Sequence, residues 1–209
     1  MAIKVLGISG SPRRQATLFL VETALEACRE AGAETELIAL AGKKINHCLH
    51  CDRCLRSGNL YCPAHEDDMR QYYEAILAAD AYLIGTPVYQ MNISGLLANF
   101  LNRWRPLWAA IKEGALLNKT GGAIAVGGER NGGQEFALAA LNNFFLLYGI
   151  TPITPGQPAY NGVAAWNHDR GRAGAEEDAA GVSLASKMGT RLVEVTEKLR
   201  RVDEKKLGE

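Results

Sequence analysis

Four cysteines lie within fifteen residues of one another, and they are the side chains best able to do chemistry in this 209-residue chain. Cys48, Cys51, Cys54 and Cys62 follow a C-x2-C-x2-C-x7-C spacing, and Pro63 follows the last of them. Iron–sulfur clusters are held by four thiolates, and a compact run closed by a more distant Cys-Pro is one of their signatures. The spacing favours a 4Fe-4S cluster. A structural zinc site, a redox disulfide and coincidence are the alternatives.

The surroundings of the four cysteines are basic. Lys43, Lys44, Arg53 and Arg56 flank them, and such cations stabilise the negative charge of thiolates and clusters. A solvated basic loop is the ordinary alternative. The fifth cysteine, Cys28, falls on the apolar stripe of a predicted helix, where a free cysteine behaves as a small hydrophobe.

Composition limits the remaining possibilities. The chain has 23 Lys plus Arg and 23 Asp plus Glu, so no basic field points to nucleic acid. No segment has the apolar length of a membrane span, and the N-terminus lacks the layout of a signal peptide. We therefore expect a cytoplasmic protein, in which clustered cysteines serve metal or redox chemistry. Its length fits one domain over 1–209, with a cysteine loop at about 42–65.

The elements that must position these residues alternate along the chain. Apolar periodicity predicts strands at 3–8, 34–40, 81–86, 121–126 and 151–155, and helices at 17–32, 67–79, 94–108, 134–148 and 176–201. Residues 156–175 have little periodicity, which predicts a stretch without regular structure. Alternating strands and helices predict an α/β fold with a parallel sheet covered on both faces, and ligands of such sheets bind beyond the carboxyl ends of the strands.

The loop after the first strand has the character of an anion site. It offers the hydroxyls of Ser9, Ser11 and Thr17 and the cation of Arg13 near a helix N-terminus. A dinucleotide fingerprint would need G-x-G-x-x-G, which is absent, so one phosphate of a mononucleotide fits better. An ordinary polar turn is the alternative.

Two further loops reach the same edge of the predicted sheet. The loop after the third strand supplies polarizable surface for a flat ring, in Pro87, Val88, Tyr89, Gln90 and Met91. The loop after the fourth strand is rich in glycine, which permits close approach of backbone to a ligand, at Gly127, Gly128, Gly132 and Gly133. For the loop after the third strand, the alternative is that its aromatic side chain only packs against the protein. For the loop after the fourth strand, the alternative is a mobile turn.

Three motifs occur in order along the chain, one after each of the first, third and fourth predicted strands. They are Gly-Ser-Pro-Arg, then Thr-Pro-Val-Tyr followed by Met-x-x-x-x-Gly, and then Gly-Gly-x-x-x-Gly-Gly-Gln-Glu. Together they resemble the flavodoxin-like, NADPH-dependent FMN reductase superfamily, and with the cysteine loop its iron–sulfur flavoprotein branch. The resemblance spans residues 3 to about 150. It implies a doubly wound five-stranded parallel sheet of order 2-1-3-4-5 with the cysteine loop inserted after strand 2.

The resemblance also implies cofactors and their ligands. FMN would be held through its phosphate by Ser9, Ser11, Pro12, Arg13 and Thr17, with its ring between the loops at 87–91 and 127–133. The four clustered cysteines would ligate a 4Fe-4S cluster. One departure is Gln15-Ala16, where many relatives carry an asparagine donor near the phosphate.

A flavin-dependent oxidoreductase follows as the expected function. Electrons would pass from a ferredoxin-like donor to a small acceptor such as oxygen, peroxide or quinone, in a homodimer or homotetramer, with no protein side chain as catalytic acid or base. The alternatives are an NAD(P)H-dependent FMN or quinone reductase with a zinc-bound or empty cysteine loop, and a non-enzymatic electron carrier or redox sensor.

Overall fold

A computed structural model describes residues 2–207 and contains a parallel sheet between two layers of helices. The strands are β1 (Lys4–Ser9), β2 (Glu34–Ala39), β3 (Ala81–Pro87), β4 (Thr120–Gly127), β5 (Thr151–Ile153) and β6 (Val163–Trp166). The helices are α1 (Ala16–Glu30), α2 (Arg53–Ser57), α3 (Tyr73–Ala78), α4 (Gly95–Asn102), α5 (Trp108–Lys112), α6 (Gln134–Leu147), α7 (Gly171–Glu177) and α8 (Ala179–Leu207). Short 3-10 helices lie at Asp68–Tyr72 and Arg105–Leu107.

The sheet has the order β2-β1-β3-β4-β5, with every strand pair parallel. Each residue of β3 and β4 is buried, because a strand between two helical layers has no face toward water. Helices α3, α4 and α6 cover one face, and α1, α7 and α8 cover the other. The predicted flavodoxin-like sheet is confirmed.

The fifth position of the sheet is divided between two short strands. β5 pairs with Thr120–Gly122 of β4, and β6 pairs with the following half of β4 from Ile124 to Gly127. The prediction of irregular structure over 156–175 is therefore wrong, since this range contains β6 and most of α7. A four-residue strand is too short to give a periodic signal, and the free edge of β4 determines where it forms. The segment that follows the carboxyl end of β6 lies at the ligand-binding edge of the sheet.

The predicted helix over 94–108 is interrupted. Pro106 has no N–H to continue helical hydrogen bonding, and the chain passes from α4 through a 3-10 helix into α5. Trp104 is fully buried against Tyr82 and Phe144, whereas Trp108 is a third exposed. Although four residues apart, the two tryptophans therefore do not lie on the same face of one continuous helix.

The cysteine segment lies between β2 and the first 3-10 helix and includes the short helix α2. The position of its first end is therefore set by strand β2 of the sheet, and the position of its last end is set by the helical layer that contains α3. Over the residues that the structure describes, no helix combines the length and apolarity required to cross a membrane.

Candidate functional site

A cleft of about 180 Å³ lies beyond the carboxyl ends of the central strands. It is lined by Ser11, Arg13, Gln15, Ala16, Thr17, Pro87, Val88, Tyr89, Val126, Gly128, Asn167, Asp169 and Gly171. The lining includes these residues of the predicted flavin site: Ser11, Arg13, Thr17, Pro87, Val88, Tyr89 and Gly128. The other predicted residues lie in the same loops but outside the lining: Ser9, Pro12, Gln90, Met91, Gly127, Gly132 and Gly133.

The first loop turns tightly into the N-terminus of α1. The backbone N–H of Arg13 donates to Ser11 Oγ at 3.1 Å, and helix α1 begins at Ala16 with no acidic residue in its first turn. Ser11 and Thr17 are buried to 5% and 2% exposure, while Arg13 is exposed at the rim. The hydroxyls, the first-turn N–H groups and the guanidinium together provide donors suited to a phosphate.

Ser94, which sequence analysis did not select, joins the first two loops. Its Oγ donates to the carbonyl of Gly10 at 2.5 Å and accepts from Leu97 N at 3.1 Å, as the N-cap of α4. Its backbone N–H donates to Thr86 Oγ1 at 3.0 Å. An N-cap serine is visible in sequence, but its bond across 84 residues to Gly10 is not.

The second loop is a two-residue hairpin. Tyr89 and Asn92 exchange backbone hydrogen bonds of 3.0 Å in both directions. Gln90 and Met91 at its tip have φ of 51° and 59°, which is the backbone of a type I′ turn. The hairpin leaves Tyr89 at the cleft and Met91 more than half exposed.

The third loop is held closed by Gln134, which is 1% exposed. Its Nε2 donates to the carbonyls of Glu129 at 2.7 Å and Ala165 at 3.2 Å, and its Oε1 accepts from Gly132 N at 2.9 Å. Gly133 has φ of 94°, and a Cβ there would lie 3.0 Å from Met91. Glycine at this position lets the second and third loops meet.

A fourth segment, Asn167–Gly171, completes the cleft and was missed from the sequence. It follows β6, with Asn167 N donating to Gly127 O at 2.9 Å and Trp166 Nε1 donating to Gly128 O at 2.6 Å. Gly128 lies so close to the Asp169 carboxylate that a Cβ would collide with it. The signal available in sequence was a short apolar run followed by Asn-His-Asp-Arg-Gly, the same strand-then-polar pattern as the other loops.

The four clustered cysteines carry no disulfide, and Cys54 is buried while the other three are partly exposed. His50 and Asp52 have φ of 51° and 56°, so the backbone reverses direction between the cysteines. Among residues 2–207, no three His, Cys, Asp or Glu side chains are grouped closely enough to hold a metal ion. Four free thiols in this spacing nevertheless have the donor chemistry of an iron–sulfur cluster, and their role as ligands stays a prediction.

The cations that support the cysteines come mainly from outside their loop. Arg105 donates from Nε to Asp52 Oδ1 at 2.9 Å, a hydrogen bond that lowers the pKa of Asp52. The same guanidinium lies near Cys48 and Cys54. Burial raises the pKa of the Cys54 thiol, and the charge of Arg105 acts in the opposite direction. Within the predicted basic set, Arg56 contacts the carbonyl of Cys51 at 3.1 Å.

Arg103 fastens both ends of the cysteine segment. Its Nη1 donates to Asp67 Oδ2 at 2.8 Å and to Asn46 O at 3.0 Å, and its Nη2 donates to Asp67 Oδ1 at 3.2 Å. Asn46 N in turn donates to Asp67 at 2.9 Å. Sequence analysis assigned none of these three residues to a functional site, because their contacts span 21 to 57 positions.

Cys48 borders a groove that shares no lining residue with the cleft. The groove is lined by Cys48, His50, Leu101, Asn102, Arg105, Trp108, Phe144, Leu147 and Tyr148. The cysteine segment and the cleft are therefore separate features within one chain. Cys28 belongs to neither, since it is fully buried between α1 and α8, where Sγ donates to Gly189 O at 3.4 Å.

The strand order, with loops of this kind at the carboxyl edge of the sheet, defines a flavodoxin-like α/β protein. The family described as NADPH-dependent FMN reductase matches residues 3–164. The chain belongs to the iron–sulfur flavoprotein branch of this family, and it is a flavin-dependent oxidoreductase.

Two similar proteins support the assignment to the iron–sulfur flavoprotein branch. An iron–sulfur flavoprotein of Methanocaldococcus jannaschii is 44% identical over 199 residues, covering 95% of this chain and 99% of the relative. One of Archaeoglobus fulgidus is 38% identical over 199 residues, covering 95% and 100%. Among solved structures, RosB with bound 8-demethyl-8-formylriboflavin-5'-phosphate has a TM-score of 0.73 at 18% identity, over 96% of this chain and 81% of RosB. That likeness shows the fold alone.

Proposed function

We propose that this chain binds FMN in the cleft and a 4Fe-4S cluster at Cys48, Cys51, Cys54 and Cys62. It would serve electron transfer between a ferredoxin-like donor and a small acceptor such as oxygen, peroxide or quinone. The observation that carries the proposal is the presence, on one chain, of a phosphate-type cleft and four free clustered thiols. When bound, a cluster supplies one-electron transfer and FMN accepts one or two electrons, so the pair joins the two kinds of chemistry.

The residues of the cleft divide into two groups by chemistry. Ser11, Thr17, the first-turn N–H groups of α1 and Arg13 would hold the phosphate. Pro87, Val88 and Tyr89 would orient the ring, and the loop closed by Gln134 would approach it by its backbone. This division gives each end of the mononucleotide its own set of contacts.

A cation beside the cysteines would oppose the effect of burial on the Cys54 thiol. Burial raises the pKa of Cys54, and the nearby charge of Arg105 acts to lower it. The buried contact of Arg103 with Asp67 and Asn46 fixes the ends of the segment, and Cys62 lies near enough to Cys54 to interact with it electrostatically. The protein would thus limit the reorganisation needed to hold a cluster.

The deciding experiment is anaerobic purification with analysis of iron, acid-labile sulfide and flavin. We expect iron, sulfide and FMN in the parent. Each of the four variants with alanine at Cys48, Cys51, Cys54 or Cys62 should lose the cluster and keep FMN, because every thiolate fills one coordination position. Cys28→Ala is the matched control and should keep both. Stoichiometric zinc without sulfide, or wild-type iron in all four variants, would contradict the proposal and favour the NAD(P)H-dependent reductase.

We also propose that two copies of this chain meet at the groove beside Cys48. Leu146 and Leu147 of α6 are 63% and 68% exposed, and Trp108 borders the same groove. Apolar side chains exposed this far on neighbouring positions are typical of a protein interface. Because the groove adjoins the cysteines, pairing of copies would also exclude water from the cluster. Light scattering should find a dimer or tetramer, and Leu147→Glu should lower the mass; a monomeric parent with its cluster intact would contradict this.

A further inference from the structure

Two of the buried polar atoms beside the cysteine segment make no well-formed hydrogen bond. Tyr73 is 2% exposed and Arg103 is 1% exposed, yet Tyr73 Oη and Arg103 Nε have no partner at hydrogen-bond geometry, although the two side chains interact with each other. Burial of an unpaired donor is destabilising, and folded proteins contain few such groups. An unpaired donor at a cofactor-binding segment therefore points to a ligand that is to be bound there.

A second buried tyrosine provides the comparison. Tyr82 is fully buried in the same core cluster, and its hydroxyl donates to the carbonyl of Ile76 at 2.7 Å. The chain therefore gives the Tyr82 hydroxyl a backbone acceptor and gives the Tyr73 hydroxyl none, because the neighbouring Arg103 guanidinium can only donate. Packing alone would be served by phenylalanine at position 73.

The contacts of Arg103 explain why its Nε is available. Both terminal nitrogens are engaged end-on by Asp67, and Nη1 also donates to Asn46 O. This leaves the Nε–H on the side edge of the guanidinium. The Tyr73 hydroxyl lies beside that guanidinium.

Cys62 is the clustered cysteine that interacts electrostatically with both groups, Tyr73 and Arg103. The preceding residue, Tyr61, is held by Arg70, whose guanidinium carbon lies 4.3 Å from the ring centroid. Cys62 is also the clustered cysteine separated from the others by seven residues, so its position depends most on such tertiary contacts.

We propose that Tyr73 donates a hydrogen bond from Oη to the sulfur of Cys62 when the cysteines hold their cluster, with Arg103 Nε–H donating to Tyr73 Oη behind it. This inference rests on the proposed 4Fe-4S centre and adds a residue that tunes it. Hydrogen bonds to the sulfurs of a cluster stabilise its more negative, reduced form and so raise its reduction potential. Tyr73 touches no substrate in this proposal and acts through Cys62.

The test compares Tyr73→Phe with Tyr82→Phe in anaerobically purified protein. The readouts are the midpoint potential of the cluster, the coupling of exchangeable protons to it by electron–nuclear double resonance, and the thermal midpoint after removal of the cluster. Tyr73→Phe should keep its iron and lose one exchangeable-proton coupling. At the wild-type midpoint its ratio of reduced to oxidised cluster should fall about tenfold, which is 59 mV for one electron. Its metal-free thermal midpoint should be unchanged or higher, because an unpaired hydroxyl is removed.

The control and a variant of opposite sign complete the design. Tyr82→Phe should lower the thermal midpoint, through loss of its bond to Ile76, and leave the potential unchanged. Site-specific 3-fluorotyrosine at position 73 is a stronger donor and should raise the potential. It also provides the test should Tyr73→Phe fail to fold.

Three results would overturn the inference. A wild-type potential with unchanged proton couplings in Tyr73→Phe excludes the hydrogen bond while leaving the proposed function intact. An equal shift of potential in Tyr82→Phe would mean that the effect is general to the core. A parent containing zinc without sulfide overturns this inference together with the proposed function.

Discussion

Arg103 and Asp67 form an ion pair that is completely enclosed, with side-chain exposures of 2% and 0% and a separation of 2.8 Å. Arg103 caps the end of α4, whereas Asp67 caps the 3-10 helix that follows the cysteine segment. Since Arg103 also binds the carbonyl of Asn46, one guanidinium joins both ends of that segment to the helical layer.

Replacement of Arg103 by methionine should destabilise the protein strongly. The variant leaves the Asp67 carboxylate buried without its counter-ion, and loss of one partner of a buried pair costs about 3–5 kcal/mol. The free energy of unfolding in denaturant measures this. Arg105→Met is the matched control, because the Arg105–Asp52 pair is partly exposed and should contribute much less. Equal losses in the two variants would mean that the buried pair has no special role.

The same pair predicts a loss of stability in acid. Burial by itself would raise the pKa of Asp67, but the hydrogen bonds from Arg103 and Asn46 outweigh it and lower the pKa from 3.8 to about 2. A lowered folded-state pKa gives stability that is present above the unfolded value and lost as pH falls through the folded one. At about 1.4 kcal/mol per pKa unit, metal-free protein should lose about 2 kcal/mol between about pH 4 and pH 2. Asp67→Asn should lack this component, and an identical pH profile in that variant would contradict the assignment.

Replacement of Arg13 by alanine should weaken FMN binding. A charge-assisted hydrogen bond to phosphate contributes roughly 1.5–3 kcal/mol, so the dissociation constant should rise by about ten- to a hundredfold. Flavin fluorescence during titration measures it. Arg14→Ala is the control, since Arg14 is also exposed but does not line the cleft. Unchanged affinity in the Arg13 variant would remove the phosphate from this loop.

Gly171→Ala tests the fourth segment of the cleft. Gly171 has φ of 60°, and a Cβ there would collide with the side chain of Gln15 at the start of α1. We expect FMN affinity to fall, because the collision moves the side chain of Gln15, which lines the cleft. Gly58→Ala has a similar φ of 66° with no atom within 4 Å, so it carries the backbone strain without the collision. The two variants should differ in flavin affinity, and similar affinities would place the fourth segment outside the FMN site.

Local features of this protein could be predicted from its sequence. The strand order was implied by a family resemblance that rests on motifs in the turns after β1, β3 and β4, and each of these motifs lies in residues adjacent to its own strand. The spacing of the four cysteines is likewise a local pattern. Cys28 was assigned to the core from its place on one helical stripe, and it is fully buried there.

Other features were decided by contacts between distant parts of the chain. β6 exists because β5 covers only half of the edge of β4, and its pairing brings Asn167–Gly171 to the cleft. The environment of the cysteines depends on Arg103 and Arg105, which follow the cysteine segment by some forty residues and were read as parts of an ordinary helix. A sequence pattern reports which side chains are near in the chain. The energy of a buried ion pair, or of an open strand edge, depends on which groups the folded sheet brings together.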